Sequence, residues 1–419
     1  MVTRDRSREH DIVLWGATGF TGQLVAEYLA PGAVAGEIRL ALAGRSREKL
    51  EAVRRELETR VPGAAALPLL TADAMDEPSL QRLAERTSVV CTTVGPYARY
   101  GEGLVAACVE KATDYCDLTG EPQFVRRMID RHQASAEASG ARIVHCCGYD
   151  SIPSDLGTLM VQEEALARFG RPAEEVKGFA GETSGGFSGG TVASLLHVVD
   201  EARRDREVRR ILGHPYGLNP EGERQGPDGS DQRGVGYDED LGMWTAPFVM
   251  ASVNTRVVRR SNALLGYRYG RDFRYAEAMS CGRGLRGWTR AATVTAGLGA
   301  FMAAMTVEPT RKLMEARVLP KPGEGPSRGQ REAGFFRFRF AGKGLDAEGK
   351  PFLVRGLVEG QQDPGYGETA KMLGEAARCL ALDGADLEAP GGIRTPASTM
   401  GARLIERLRG AGMTFEVRA

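Results

Sequence analysis

The chain has no surplus of charge of either sign: 55 Lys and Arg residues balance 55 Asp and Glu over 419 residues. A nucleic-acid partner demands a basic face that displaces phosphate counterions, and no Lys/Arg patch interleaved with aromatics is present, so no nucleic-acid partner is expected. Metal-binding patterns are also missing. The seven cysteines (91, 108, 116, 146, 147, 281 and 379) include no C-x-x-C pair, and the five histidines (10, 132, 145, 197 and 214) form no H-x-x-x-H or H-x-E group. The expectation is therefore no metal site, with free thiols in a reducing compartment. Met1 to His10 is charged and lacks the apolar centre of a secretory signal, so a cytoplasmic protein is expected. One stretch, Ala291–Val307, carries no charge, but its 17 residues fall short of the roughly 20 that span a bilayer. It reads as a buried or interface helix, with a lipid-facing or acyl-binding surface in peripheral membrane contact as the first alternative and a true membrane span as the second.

Two catalytic signatures carry no weight here. None of the 11 tyrosines has lysine four residues later, which disfavours the proton-donating Tyr-x-x-x-Lys of short-chain dehydrogenases. Gly185-Gly186-Phe187-Ser188-Gly189-Gly190 reads as a flexible or anion-contacting loop rather than a nucleophile elbow.

What is present is an alternation. Apolar runs at Asp11–Trp15, Ile38–Ala43, Ala66–Leu70, Ser88–Val94, Asp114–Leu118 and Arg142–Cys147 are separated by segments of helical spacing or composition, including Thr21–Leu29, Arg47–Arg60, Glu77–Glu85, Gly103–Lys111 and Pro122–Ser139. Strand-helix repeats of this length predict an α/β fold, a Rossmann-type doubly wound parallel sheet with helices on both faces. Beyond Asp155 the alternation fades. Gly217–Gly236 is poor in apolar residues and predicts a long exposed loop, while Phe335–Phe340 and Phe352–Glu359, joined by Asp346–Gly349, predict an antiparallel hairpin. The expected organisation is a dinucleotide-binding domain over 1–155, a second α+β substrate domain over 156–365, and C-terminal helices over 366–419, for which packing back on the first domain is one open arrangement.

The chemistry concentrates after the first strand. In Gly16-Ala17-Thr18-Gly19-Phe20-Thr21-Gly22, glycine at 16 allows the tight turn, Gly19 admits a pyrophosphate, and Gly22 lets the helix pack close against the strand. The second strand ends in Ala43-Gly44-Arg45-Ser46. An acid there would bind the ribose hydroxyl of NAD(H); Arg45 instead offers a planar cation to a 2′-phosphate, with Ser46 adding a hydrogen bond, so NADP(H) is preferred. Asp73 is expected at the adenine, or as a helix cap. Val94-Gly95-Pro96-Tyr97 follows the fourth strand, at the expected reversal of strand order where ligands settle. Gly148-Tyr149-Asp150-Ser151-Ile152-Pro153-Ser154-Asp155 follows the sixth, with Asp150 and Ser154 divided between capping the next helix and function.

These motifs, together with Asp114-Tyr115-Cys116-Asp117-Leu118-Thr119-Gly120-Glu121, Ser188-Gly189-Gly190-Thr191 and Gly391-Gly392-Ile393-Arg394-Thr395-Pro396-Ala397, make the chain resemble the saccharopine dehydrogenase-like oxidoreductases, most of all the trans-acting enoyl reductases. The resemblance implies hydride transfer from NADPH to an enoyl group of a lipid- or polyketide-like substrate, free or carrier-bound. Tyr97 and Tyr149 are the candidates for proton donor or oxyanion partner. A saccharopine-type amino-acid or imine dehydrogenase and a non-catalytic nucleotide-bound scaffold on lipid surfaces are the alternatives, and a homodimer is compatible with any of them.

Overall fold

The computed structural model describes residues 8–184, 189–306, 309–311, 314 and 325–418. The chain forms two compact units. One comprises Met1–Tyr149, Gly323–Gly325 and Gly365–Ala411; the other comprises Asp150–Pro322, Pro326–Pro364 and Gly412–Ala419.

The first unit alternates β1 (His10–Trp15), α1 (Phe20–Val34), β2 (Leu40–Gly44), α2 (Arg47–Arg60), β3 (Leu69–Thr71), α3 (Glu77–Glu85), β4 (Thr87–Thr92), the short α4 (Tyr97–Tyr100), α5 (Glu102–Glu110), β5 (Asp114–Cys116), α6 (Pro122–Ser139) and β6 (Arg142–Val144). These strands are parallel in the order β3-β2-β1-β4-β5-β6, so the sheet reverses between β1 and β4. Residues 12–15 of β1, all of β2 and residues 89–92 of β4 are buried, as a sheet covered on both faces requires. The expected six strands become seven, because a strand at Gly392–Arg394 pairs parallel with β6. The C-terminal helix Thr369–Leu382 belongs to this unit and covers β1, β4 and β5 beside α1.

In the second unit, α7 (Ile152–Phe169), β7 (Glu175–Ser184), α8 (Gly189–Arg204), α9 (Arg206–Gly213), β8 (Gly236–Asp238), β9 (Met243–Ala246), α10 (Ala251–Leu264), β10 (Arg274–Gly282), α11 (Gly284–Thr306), β11 (Phe335–Leu345) and β12 (Pro351–Gly360) follow in turn. They build a mixed seven-stranded sheet whose edge strand at Thr414–Arg418 comes from the C-terminus and pairs with β12; only β7 and β10 run parallel. The hairpin of β11 and β12 turns at residues 346–350.

Three sequence expectations change. The boundary at 155 moves to 149, because Asp150 and the whole of α7 belong to the second unit. The segment 366–419 does not stay together: its last strand completes the second sheet. The segment 217–236 has no regular structure before β8 and exposes only half of its residues, and it is fastened to α10 by arginines one turn apart. Arg256 pairs with Asp231, Arg259 with Asp228, and Arg260 donates to the Leu218 carbonyl. A polar composition gave no sign of these anchors, because the arginines lie some 30 residues further on. The predicted loop at 185–190 falls mostly on 185–188, and Val307 also lies outside the described residues.

Candidate cofactor site

The loop between β1 and α1 owes its shape to its glycines. Gly16 has φ +92°, and a Cβ there would stand 2.7 Å from Thr93 Oγ1 and 2.8 Å from a Val94 methyl. At Gly22 a Cβ would stand 2.0 Å from the Gly16 carbonyl oxygen, so this glycine lets α1 close onto its own loop rather than onto the strand expected from the sequence. Gly19 is different. It is exposed, its nearest would-be contact is 3.4 Å away, and it is the residue that caps α1. No side chain caps this helix, and no acid lies in its first turn. Its positive end is therefore left for an outside anion, and the backbone there is open to close approach.

The neighbouring strand ends brace this loop. Thr93 donates its backbone N–H to Trp15 O (3.0 Å) and its hydroxyl to Gly16 O (3.3 Å). Thr18 and Phe20 flank the turn; the Thr18 carbonyl accepts from Gln23, and the Phe20 ring meets Tyr366 edge-on at 4.8 Å. Arg45 is exposed and enters no ion pair among the described residues. Ser46 accepts the Lys49 N–H at 3.3 Å as the cap of α2, which leaves its own proton to donate. Asp73 is exposed and accepts the Met75 N–H at 2.9 Å; the cap residue of α3 is Asp76, not Asp73. Val94 is half-buried and donates to Thr92 Oγ1, Gly95 is exposed and Pro96 is half-buried.

Tyr97 is buried, and its hydroxyl is engaged by backbone on both sides, donating to Thr92 O (3.3 Å) and accepting from Leu118 N (3.2 Å). Burial, reinforced by the Asp117 charge, pushes this phenol well above its ordinary range. Such a group holds the β4–α4 loop in place better than it gives up a proton. Tyr149, by contrast, is half-buried, its backbone N–H donating to Thr369 Oγ1 at 3.2 Å.

Sequence reasoning recorded Asp117, Glu121 and His145 without giving them roles. The buried Glu121 carboxylate accepts the N–H groups of Tyr97 (3.0 Å) and Ala98 (2.8 Å), capping α4 from another segment. The buried Asp117 bonds His145 Nδ1 (2.7 Å), the Tyr115 hydroxyl (2.9 Å) and the N–H groups of Thr119 and Cys146. One short segment thus fixes the loops after β4 and β6. The only sequence signal was a pair of acids four apart after a strand, which fits an exposed turn equally well.

In the second unit, Asp150 is half-buried and burial alone pushes its carboxyl up to about 6. It does not cap α7; the cap residue is Ser151, whose hydroxyl donates instead to Asn254 Oδ1 at 3.0 Å. Ser154 is buried one turn into α7, beside Glu277.

The open glycine loop, an uncapped helix end and an exposed cation at the end of β2 fit a phosphorylated dinucleotide, and together with the parallel sheet they define a dinucleotide-binding fold. Residues 12–144 match the family described as the saccharopine dehydrogenase NADP binding domain, which establishes NADP(H) as the cofactor and the protein as an NAD(P)-dependent oxidoreductase. Over its whole length the chain belongs to the trans-acting enoyl reductase family. A Mycobacterium tuberculosis protein provisionally assigned to that group is 45% identical across 98% of this chain and 97% of its own length. Trans-acting enoyl reductases of Mycobacterium bovis and Mycobacterium ulcerans are 42% and 40% identical, each across 97% of both chains. Among solved structures, the glutamate-forming saccharopine dehydrogenase of Saccharomyces cerevisiae shares the fold, with a TM-score of 0.56 over 98% of this chain and all of that one at 12% identity.

Proposed function

We propose that the protein reduces an α,β-unsaturated thioester or ketone on a lipid- or polyketide-like chain, free or attached to a carrier. The observation that carries this reading is identity of 40–45% to trans-acting enoyl reductases along nearly the entire chain. NADPH, when bound, supplies the hydride that goes to the β-carbon. The protein's share is to hold that donor and manage the charge and proton at the other end of the double bond. Gly16, Gly19 and Gly22 shape the cradle into which the first turn of α1, through Phe20 and Thr21, presents its positive end to pyrophosphate. Arg45, with the Ser46 proton, reads the 2′-phosphate, and Asp73 lies toward the adenine. Val94, Gly95 and Pro96 form the loop on the nicotinamide side, with Tyr97 as its post. Tyr149 is assigned the hydrogen bond to the enolate oxygen or the proton to the α-carbon.

Consumption of NADPH with a medium-chain 2-enoyl thioester, stoichiometric with saturated product, is the expected result. Consumption only with a 2-oxo acid plus an amine would replace this reading with an imine reductase, and no consumption with either would leave it without support.

A peripheral lipid contact through α11 suits the same substrate class. Leu285, Trp288 and Met302 are exposed on this helix, its residues from Ala291 onward are uncharged, and Arg283, Arg286 and Arg290 stand exposed at its start. Among the described residues no helix is long and apolar enough to cross a membrane. In flotation assays the protein is expected to rise with anionic vesicles, and Trp288→Ser to reduce the bound fraction several-fold; equal recovery with and without vesicles would remove the lipid contact.

A further inference from the structure

A cleft of about 250 Å³ lies in the second unit, lined entirely by residues of that unit. Its floor is formed by β7 and β10, and its roof by residues 228–232 of the segment fastened to α10. Its acidic and basic lining consists of Asp228, Asp231, Asp238 and Glu277 against Lys177 and Arg259. Three of the four acids have a cation: Asp228 meets Arg259, Asp231 meets Arg256, and Asp238 meets Lys177 at 2.8 Å. Glu277 has none. It is only 3% exposed, and its carboxyl is held by neutral donors, the Tyr275 hydroxyl at 2.7 Å and the Asn254 amide at 3.0 Å.

A buried carboxylate without a counter-charge is costly, and a site that places one at the wall of a cleft favours a ligand that brings the missing cation. Metal ions are the weaker match, because no group of three metal-ligating side chains exists among the described residues. An anion is opposed by the excess of acids. Tyr237 lines the same cleft; its ring is exposed and braced edge-on by Trp244 at 5.3 Å, offering an aromatic face to a cation or its alkyl stem. The volume lies below the range for drug-sized ligands, which points to a short molecule. We propose that this cleft binds a small alkylammonium compound, with its nitrogen against Glu277 and its stem along Tyr237.

Burial pushes the Glu277 carboxyl up to about 7, against the lowering influence of the polar groups around it, the nearby Ser154 hydroxyl on α7 and the hydrogen bonds from Tyr275 on β10 and Asn254 on α10; Asp231 raises it further from the roof. Binding of an ammonium therefore requires Glu277 to lose its proton.

The test is calorimetric titration of the full chain with n-butylamine hydrochloride, with n-butanol and calcium chloride as comparators. Saturable binding of the amine alone is expected, about tenfold weaker at pH 6 than at pH 8 and accompanied by proton release at pH 6. Glu277→Gln should abolish it, and Tyr237→Ser, a change at the exposed rim, should weaken it several-fold. Absence of binding, equal binding by both variants, or a response to calcium in place of the amine would overturn the proposal. NADPH oxidation plays no part in the readout, so the outcome is separate from that of the reductase reading.

Discussion

Arg45 stands exposed at the end of β2, where an acid would instead bond a ribose hydroxyl. A charge-assisted bond to a phosphate contributes about 1.5–3 kcal/mol, and an acid in its place adds repulsion. Arg45→Asp is therefore expected to weaken NADPH binding on the order of a hundredfold while altering NADH binding only a few-fold, as read by fluorescence titration. Equal losses would show that Arg45 does not recognise the 2′-phosphate. Glu277 acts on stability instead. Its folded value of about 7 lies above the ordinary 4.5, so the folded state prefers the protonated form. The stability this gives is complete below about pH 4.5 and is lost as pH rises through about 7, in all ~3 kcal/mol for a shift of this size. The melting temperature of Glu277→Gln relative to the parent should rise between pH 5 and pH 8. A difference independent of pH would mean that Glu277 titrates normally.

At the scale of elements, α10 explains how a stretch with no helix or strand of its own keeps one path. Arg259 pairs with Asp228, donates to the Pro215 and Tyr275 carbonyls and lies over the Tyr216 ring, so one side chain ties the loop to both helix and sheet. Removing it leaves Asp228 buried and unpaired, a loss of about 3–5 kcal/mol. Arg259→Met is expected to make residues 217–236 the first site of limited proteolysis; an unchanged cleavage pattern would show that the other anchors suffice. The loop after β4 follows the same logic, since Glu121, at the start of α6, supplies the cap that α4 lacks in its own sequence.

At the scale of the molecule, the chain returns to the nucleotide unit after completing most of the second. Met372, Leu373, Ala376, Ala377 and Leu380 are buried on the helix Thr369–Leu382 that covers the first sheet, and Gly392–Arg394 extends that sheet. A chain ending at residue 364 should therefore lose NADPH binding and expose apolar surface to a hydrophobic dye, although every residue of the glycine loop is kept. Retained affinity would show that residues 1–149 fold unaided.

The alternation of strands and helices, the glycine loop and the absence of an acid after β2 were legible because they depend on near neighbours: periodicity follows from local backbone geometry, and a turn that needs φ above zero selects glycine where it stands. Tyr97 looked like a donor because the sequence shows a phenol beside a loop, and only folding revealed that Thr92 and Leu118 hold it. Asp117, Glu121 and the arginines of α10 act on backbone groups distant in sequence, and Glu277 is unusual only because no cation reaches it. The sequence by itself therefore determined the nucleotide-binding architecture and its cofactor. Tertiary structure decided which polar side chains serve as struts and which are buried without a counter-charge, since burial and long-range pairing exist only once the chain has closed on itself.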